Sequence, residues 1–224
     1  MKRQSHELLI ASGGQRVRAN MIPGDPIAGA NGASVLFVHG WASDHQHYED
    51  LSQEVADLGC VCMTFDLRGH GRDCAQRDKV SRADNLEDVL AAYDALAGWP
   101  GVDRSAIAMV GTSYGGYLAT IATALRPVRS IALRVPALYP DAQWETPKSA
   151  LDRRTLDDYR SVRQASVSNC ALQACQAFEC DALVSRFRKR RDPSACVGAL
   201  FHRCVRDGAI GDPVHDRRSR PRAD

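Results

Sequence analysis

The sequence predicts an α/β fold built on a doubly wound, mostly parallel sheet. Short continuous apolar runs of strand length recur along the chain, as in residues 34–38 (SVLFV) and 60–65 (CVCMTF). Such runs are expected of strands buried on both faces. Between them lie longer stretches with apolar residues at helical spacing, and this alternation implies parallel crossovers. At 224 residues the chain fits one domain of this kind with a sizeable core.

In chain order, residues 8–10 and 17–22 read as two short strands joined by the turn Ser12-Gly13-Gly14. Residues 23–32 are a loop rich in Pro, Gly and Asn. The 34–38 strand ends at His39-Gly40-Trp41. A helix is expected over 48–58, with Leu51, Val55 and Leu58 on one face. The 60–65 strand ends at Asp66, and 86–96 reads as an amphipathic helix through Leu86, Val89, Leu90, Tyr93 and Leu96. Further strands are expected at 107–110, 131–135 and 181–184, and a helix with small residues over 116–125.

Between the 107–110 strand and its helix lies Gly111-Thr112-Ser113-Tyr114-Gly115. A G-x-S-x-G sequence between strand and helix makes a nucleophile elbow, which holds the serine oxygen exposed above a sheet. Side chains at either glycine would crowd that turn. His39-Gly40-Trp41 follows one strand, Asp66-Leu67-Arg68-Gly69-His70-Gly71 the next, and the elbow comes third. In that order the three motifs resemble the α/β-hydrolase superfamily, in its esterase, lipase and serine-aminopeptidase-like branches, from about residue 17 to about 184. The resemblance implies Ser113 as nucleophile and the backbone N–H groups of Trp41 and Tyr114 as oxyanion hole. It implies hydrolysis of a carboxylic ester, thioester or peptide, with a small-molecule acyl substrate and no cofactor or metal. Arg68 is expected to anchor a loop. His70 precedes the nucleophile, against the order of the triad in this fold, and is rejected as base. Residues 136–175 are where the superfamily inserts a lid, so a small helical cap is expected there, on a core spanning 1–184.

A serine nucleophile needs a base, and that base a carboxylate to orient it. The resemblance places these after the last strands, and there the composition changes. From Leu183 to Asp224 eleven basic residues face five acids, a charge of +6 against −4 for the rest of the chain. The run Arg186 to Arg191 puts cations where a buried strand should continue. One reading keeps the tail, residues 185–224, as a diverged terminus with His215 or His202 as base and Asp181 or Asp192 as acid. A nucleic-acid-binding tail lacks interleaved aromatics and is not expected. The third reading accounts for most: a reading-frame shift near Ser185. Read one base later, the degenerate codons of 186–192 permit an acid-bearing strand end, and those of 215–224 permit an Asp-His loop. On that reading the last strands and helix of the sheet are missing or irregular, and Ser113 lacks its base.

The net charge of +2 argues for no polyanionic partner, and no apolar run approaches a membrane span. The eight cysteines lack metal-ligand spacing and are expected as reduced thiols of a cytoplasmic protein. The alternative to an enzyme is a relic or binding protein of the same fold.

Overall fold

The computed structural model describes residues 3–25, 28, 32–162, 164–165 and 169–185. Seven strands form one sheet: β1 (His6–Ser12), β2 (Gln15–Ile22), β3 (Ser34–Val38), β4 (Val61–Phe65), β5 (Ile107–Thr112), β6 (Ser130–Arg134) and β7 (Asp181–Ser185). Their order is β1-β2-β4-β3-β5-β6-β7, antiparallel at the first two pairings and parallel at the other four. The mostly parallel, doubly wound sheet expected from the sequence is therefore present, led by the hairpin around Gly13-Gly14. Both of these glycines have positive φ, as the tight turn requires.

Among the described residues five α-helices accompany the strands: α1 (Glu49–Asp57), α2 (Arg82–Ala97), α3 (Tyr114–Ala122), α4 (Arg153–Ser161) and α5 (Cys170–Ala177). α2 starts four residues before the first predicted apolar residue because Ser81 and Asp84 close a capping box at its N-terminus. One side of the sheet carries the main core, where Met109, Ile131 and Leu133 pack with residues of α2, α3 and α5. On the other side α1 and Tyr48 cover Val35, Phe37 and Cys62. Of the apolar face expected for α1, Val55 packs on this cluster and the two leucines do not. Leu51 and Leu58 are 43% and 68% exposed, whereas Ser52 and Ala56 are buried. Small residues let the helix backbone lie close on β4, so the leucines turn outward.

The region where a cap was expected contains α4 and α5. α4 buries only Leu156, through one apolar turn. α5 buries Ala171, Leu172 and Ala174 and packs on α3, so it serves as the crossover between β6 and β7. Cys60, Cys62, Cys74, Cys170 and Cys180 are free thiols. Among the described residues no helix is long and apolar enough to cross a membrane.

Candidate active site

Ser113 sits between β5 and α3 with φ 52° and ψ −114°. A non-glycine residue in that region costs on the order of 1–3 kcal/mol, held only because its surroundings determine it. Those surroundings are glycines. A Cβ on Gly111 would lie 2.6 Å from the Gly116 Cα, and one on Gly115 would fall on the carbonyl oxygens of Val38 and His39. The helix thus starts hard against the ends of β3 and β5. The Ser113 amide donates to the Arg134 carbonyl at 2.9 Å, and its carbonyl accepts from Ala137 at 2.9 Å and Tyr117 at 3.1 Å.

Strain gathers at this edge of the sheet. Ala42, Ser113 and Val135 all have positive φ, and they follow the carboxyl ends of β3, β5 and β6, three adjacent strands. Val135 is β-branched, which makes its φ of 43° the most costly of the three. Gly40 lets the loop after β3 approach the serine: a Cβ there would lie 3.6 Å from the Ser113 Cβ. Trp41 follows, half-buried and edge-on to the Tyr114 ring at 5.5 Å. Among the described residues neither the Trp41 nor the Tyr114 N–H donates a hydrogen bond. For Tyr114 this follows from its place as the first residue of α3, where the amide has no acceptor within the helix.

Beneath the site lies a polar network that the sequence only hinted at. His39 is fully buried; its Nδ1–H donates to the Gly40 carbonyl at 2.8 Å and its Nε2 accepts from the Leu67 amide at 3.0 Å. Both ring nitrogens are engaged with backbone and burial holds its pKa down, so it ties two loops together. Arg68 anchors its turn, as expected. Its amide donates to Asp88 at 2.8 Å, its Nε to the same carboxylate at 2.6 Å, and its Nη2 to Glu87 at 2.8 Å. His70 is also fully buried. Its Nδ1–H donates to the Arg68 carbonyl at 2.9 Å, its Nε2 has no partner, and burial lowers its pKa to about 4.

The expected acid Asp181 lies at the other end of its strand from the serine edge. It opens β7 opposite Ser130, at the amino edge of the sheet, and pairs with Arg129 at 2.7 Å in the open. An orienting acid belongs at the carboxyl edge, where Ser113 is. Asp192, His202 and His215 fall outside the described residues. Among the described residues Ser113 Oγ has no hydrogen bond, and one imidazole–carboxylate pair exists: His45 Nδ1 meets Asp66 Oδ1 at 2.8 Å. The hydrogen bond to Asp66 raises the pKa of His45, and the pair lines a cleft of about 290 Å³ with Asp44, Asn20 and Arg72. Sequence reading missed it, since only folding brings the two residues, 21 positions apart, together. It missed Lys148 for the same reason. The Lys148 Nζ stands 3.7 Å from the centre of the Trp41 ring.

A family model described as "Alpha/beta hydrolase family" matches residues 35–221. The chain belongs to the alpha/beta hydrolase family. The match runs through the basic tail as well as the strands and elbow. No curated protein matches the sequence closely enough to count. Among solved structures, an acylaminoacyl peptidase from Pyrococcus horikoshii superposes with a TM-score of 0.67 at 16% identity, over 92% of this chain and 36% of its own. An esterase from Pyrobaculum calidifontis gives 0.63 at 17% identity, over 93% and 73%. The alpha/beta hydrolase GrgF from Penicillium sp. gives 0.54 at 18% identity, over 62% and 48%. The chain thus spans about half of the hydrolase from Penicillium and about a third of the peptidase. At these identities the likeness is one of fold. Among the described residues no group of three or more His, Cys, Asp or Glu side chains is placed to hold a metal ion.

Proposed function

We propose that this alpha/beta hydrolase is a serine hydrolase acting by acyl transfer on a carboxylic ester, thioester or peptide. Ser113 Oγ attacks the carbonyl carbon and loses its proton to a base. The Trp41 and Tyr114 amides hold the oxyanion, and collapse expels the alcohol, thiol or amine, leaving an acyl-serine for water to cleave. The observation that carries this reading is the backbone of Ser113: a strained serine at the carboxyl edge of the sheet, with two unengaged amides on the residues beside it. Amide donors of this kind contribute about 3 kcal/mol each to lowering the barrier.

The base is the open part of the mechanism. His39 and His70 are tied into loop structure and their pKa values are held down by burial, so neither is proposed as the base; the bases we propose are His215 or His202, which lie outside the described residues. The frameshift reading of the tail stands beside this as our second proposal. It predicts a relic that keeps the elbow and has little turnover, since loss of triad members costs on the order of a millionfold.

A fluorophosphonate label on the full chain tests the reading. Labelling at Ser113 that disappears in Ser113→Ala supports an activated nucleophile. No labelling of a folded sample, judged by a cooperative thermal transition, overturns it. The coding sequence from Cys180 onward, translated in all forward frames, decides between a rebuilt tail and a shifted one.

A further inference from the structure

Lys148 opens a short 3₁₀ turn, Lys148–Ala150, tied to the start of α2. Its amide donates to the Val80 carbonyl at 3.0 Å, and Pro147 bridges to Ser81. Its ammonium lies over three rings: Trp41 at 3.7 Å, Tyr114 at 5.1 Å and Tyr139 at 5.3 Å. Tyr114 follows Ser113 in the chain, and Trp41 follows Gly40 in the loop after β3 that approaches the serine. The rings attract the charge through their faces but offer its three N–H groups no acceptor. Among the described residues Nζ has neither hydrogen bond nor ion pair.

The surroundings add more positive charge. Arg77 lies over the Trp41 ring at 5.9 Å, Arg160 over Tyr139 at 4.7 Å, and Arg82 over Tyr139 and Trp144 at 5.7 and 5.3 Å. Arg82 is fully buried; its two terminal nitrogens donate to the Pro140 and Ala142 carbonyls at 2.5 Å, and its Nε has no partner. Arg160 donates to the Leu138 carbonyl at 2.8 Å and Arg77 to that of Gly69 at 3.2 Å. Arg160 pairs with an exposed carboxylate, Asp157, at 3.9 Å. Asp141 is engaged by α5, accepting from the Cys170 amide at 2.8 Å and from Asn169 Nδ2 at 3.3 Å. Of these cations Arg82 is fully buried and Lys148, Arg77 and Arg160 are half-buried, so an anion joining them would offset their mutual repulsion.

We infer that the acyl site beside Ser113 selects substrates whose acyl chain ends in a carboxylate, with the Lys148 ammonium as the group that receives it. A lone ammonium matches a single carboxylate better than a dianionic phosphate, which draws on several donors. The inference rests on the acyl-transfer reading of Ser113. Without the anion, desolvation and the neighbouring Arg160, Arg82, Arg153 and Arg77 pull the Lys148 pKa down to about 7. The other groups facing it are silent near neutrality: the arginines stay charged, His70 titrates at about 4, and Tyr114 and Tyr139 are shifted upward by burial. Anion binding should therefore weaken as the pH rises through about 7.

The test is calorimetric titration of the full chain in a Ser113→Ala background, so that no turnover consumes the probe. Monomethyl glutarate and adipate are compared with their dimethyl esters. The monoanion is expected to bind at least tenfold tighter at pH 6, and about tenfold more weakly at pH 8 than at pH 6. Its advantage over the neutral diester should vanish in Lys148→Met and persist in Lys148→Arg. Equal binding of monoanion and diester overturns the inference, and so does an advantage that survives Lys148→Met. Should Lys148→Met fail to fold, the pH profile of the parent decides, and a flat profile overturns it. Labelling of Ser113 without anion preference sinks the Lys148 assignment alone; anion preference without labelling sinks the nucleophile alone.

Discussion

The two faces of the sheet differ more than their sequences do. On one face Met109 and Leu133 are buried under α2, α3 and α5, with Val184 packed at the margin. On the other, the cover supplied by α1 ends near β3. Beyond it Val110, Ala132 and Leu183 line an apolar groove of about 310 Å³ with Tyr48 and Leu51. Within β7 the contrast is one residue wide: Val184 is half-buried and Leu183 is 69% exposed. Neighbours along a strand point to opposite faces, so burial is decided by what packs above and not by the residue's own character.

The covered face also carries the buried polar network, and the largest expected effect lies there. Asp88 accepts from Ser12 Oγ, from the Arg68 amide and Nε, and from Asn85. Replacing it with alanine strands four donors, one on a guanidinium, and should cost about 4 kcal/mol of unfolding free energy. Urea denaturation of Asp88→Ala against the parent measures this. A loss under about 1 kcal/mol would mean that Glu87 and Asp84 hold Arg68 unaided.

Next in size is the acid sensitivity of His70. Burial holds its folded pKa at about 4, below the usual 6.5. The unfolded chain therefore binds the proton first as the pH falls. The stability tied to the neutral ring is intact above about 6.5 and drains away between 6.5 and 4, by about 3 kcal/mol in all. His39 shifts in the same direction, while His45, raised by Asp66, gains on acidification. The parent must therefore be read against His70→Gln. The variant should lose about 3 kcal/mol less between pH 7 and pH 4. Parallel stability curves for the two proteins would show that His70 does not stay neutral in the fold.

How much of this was legible in the sequence follows the same division. The strands, their parallel crossovers and the sharp strand-to-helix turn at Ser113 were legible because each is a local pattern: an apolar run, or a glycine spacing that only a sharp turn needs. Ser113 sits where the pentapeptide placed it. On α1 the helical spacing placed Val55 against the core but not Leu51 and Leu58, because the close approach to β4 is made by Ser52 and Ala56. Asp181 opens β7, as its place at the head of the 181–184 run indicates, and the parallel register with β6 sets it at the opposite edge of the sheet from Ser113. The cage around Lys148 joins residues more than a hundred positions apart, such as Trp41 and Lys148, and no local spacing encodes it.

The smallest expected effect tests the comparison most sharply. Leu183→Ser removes an apolar side chain from the open face. With 69% of the residue already in water, it should change the unfolding free energy by no more than about 0.5 kcal/mol. A buried leucine of the covered face, Leu133, sets the contrasting scale of about 2–5 kcal/mol on truncation to alanine. The near-neutral result depends on the groove over Val110, Ala132 and Leu183 being solvated in the full chain. A loss of 2 kcal/mol or more would mean that this face is covered in solution. Repeating the measurement over a hundredfold range of protein concentration then tells a second copy from a segment of the same chain. Stabilisation by a second copy grows with concentration, whereas cover from within the chain does not.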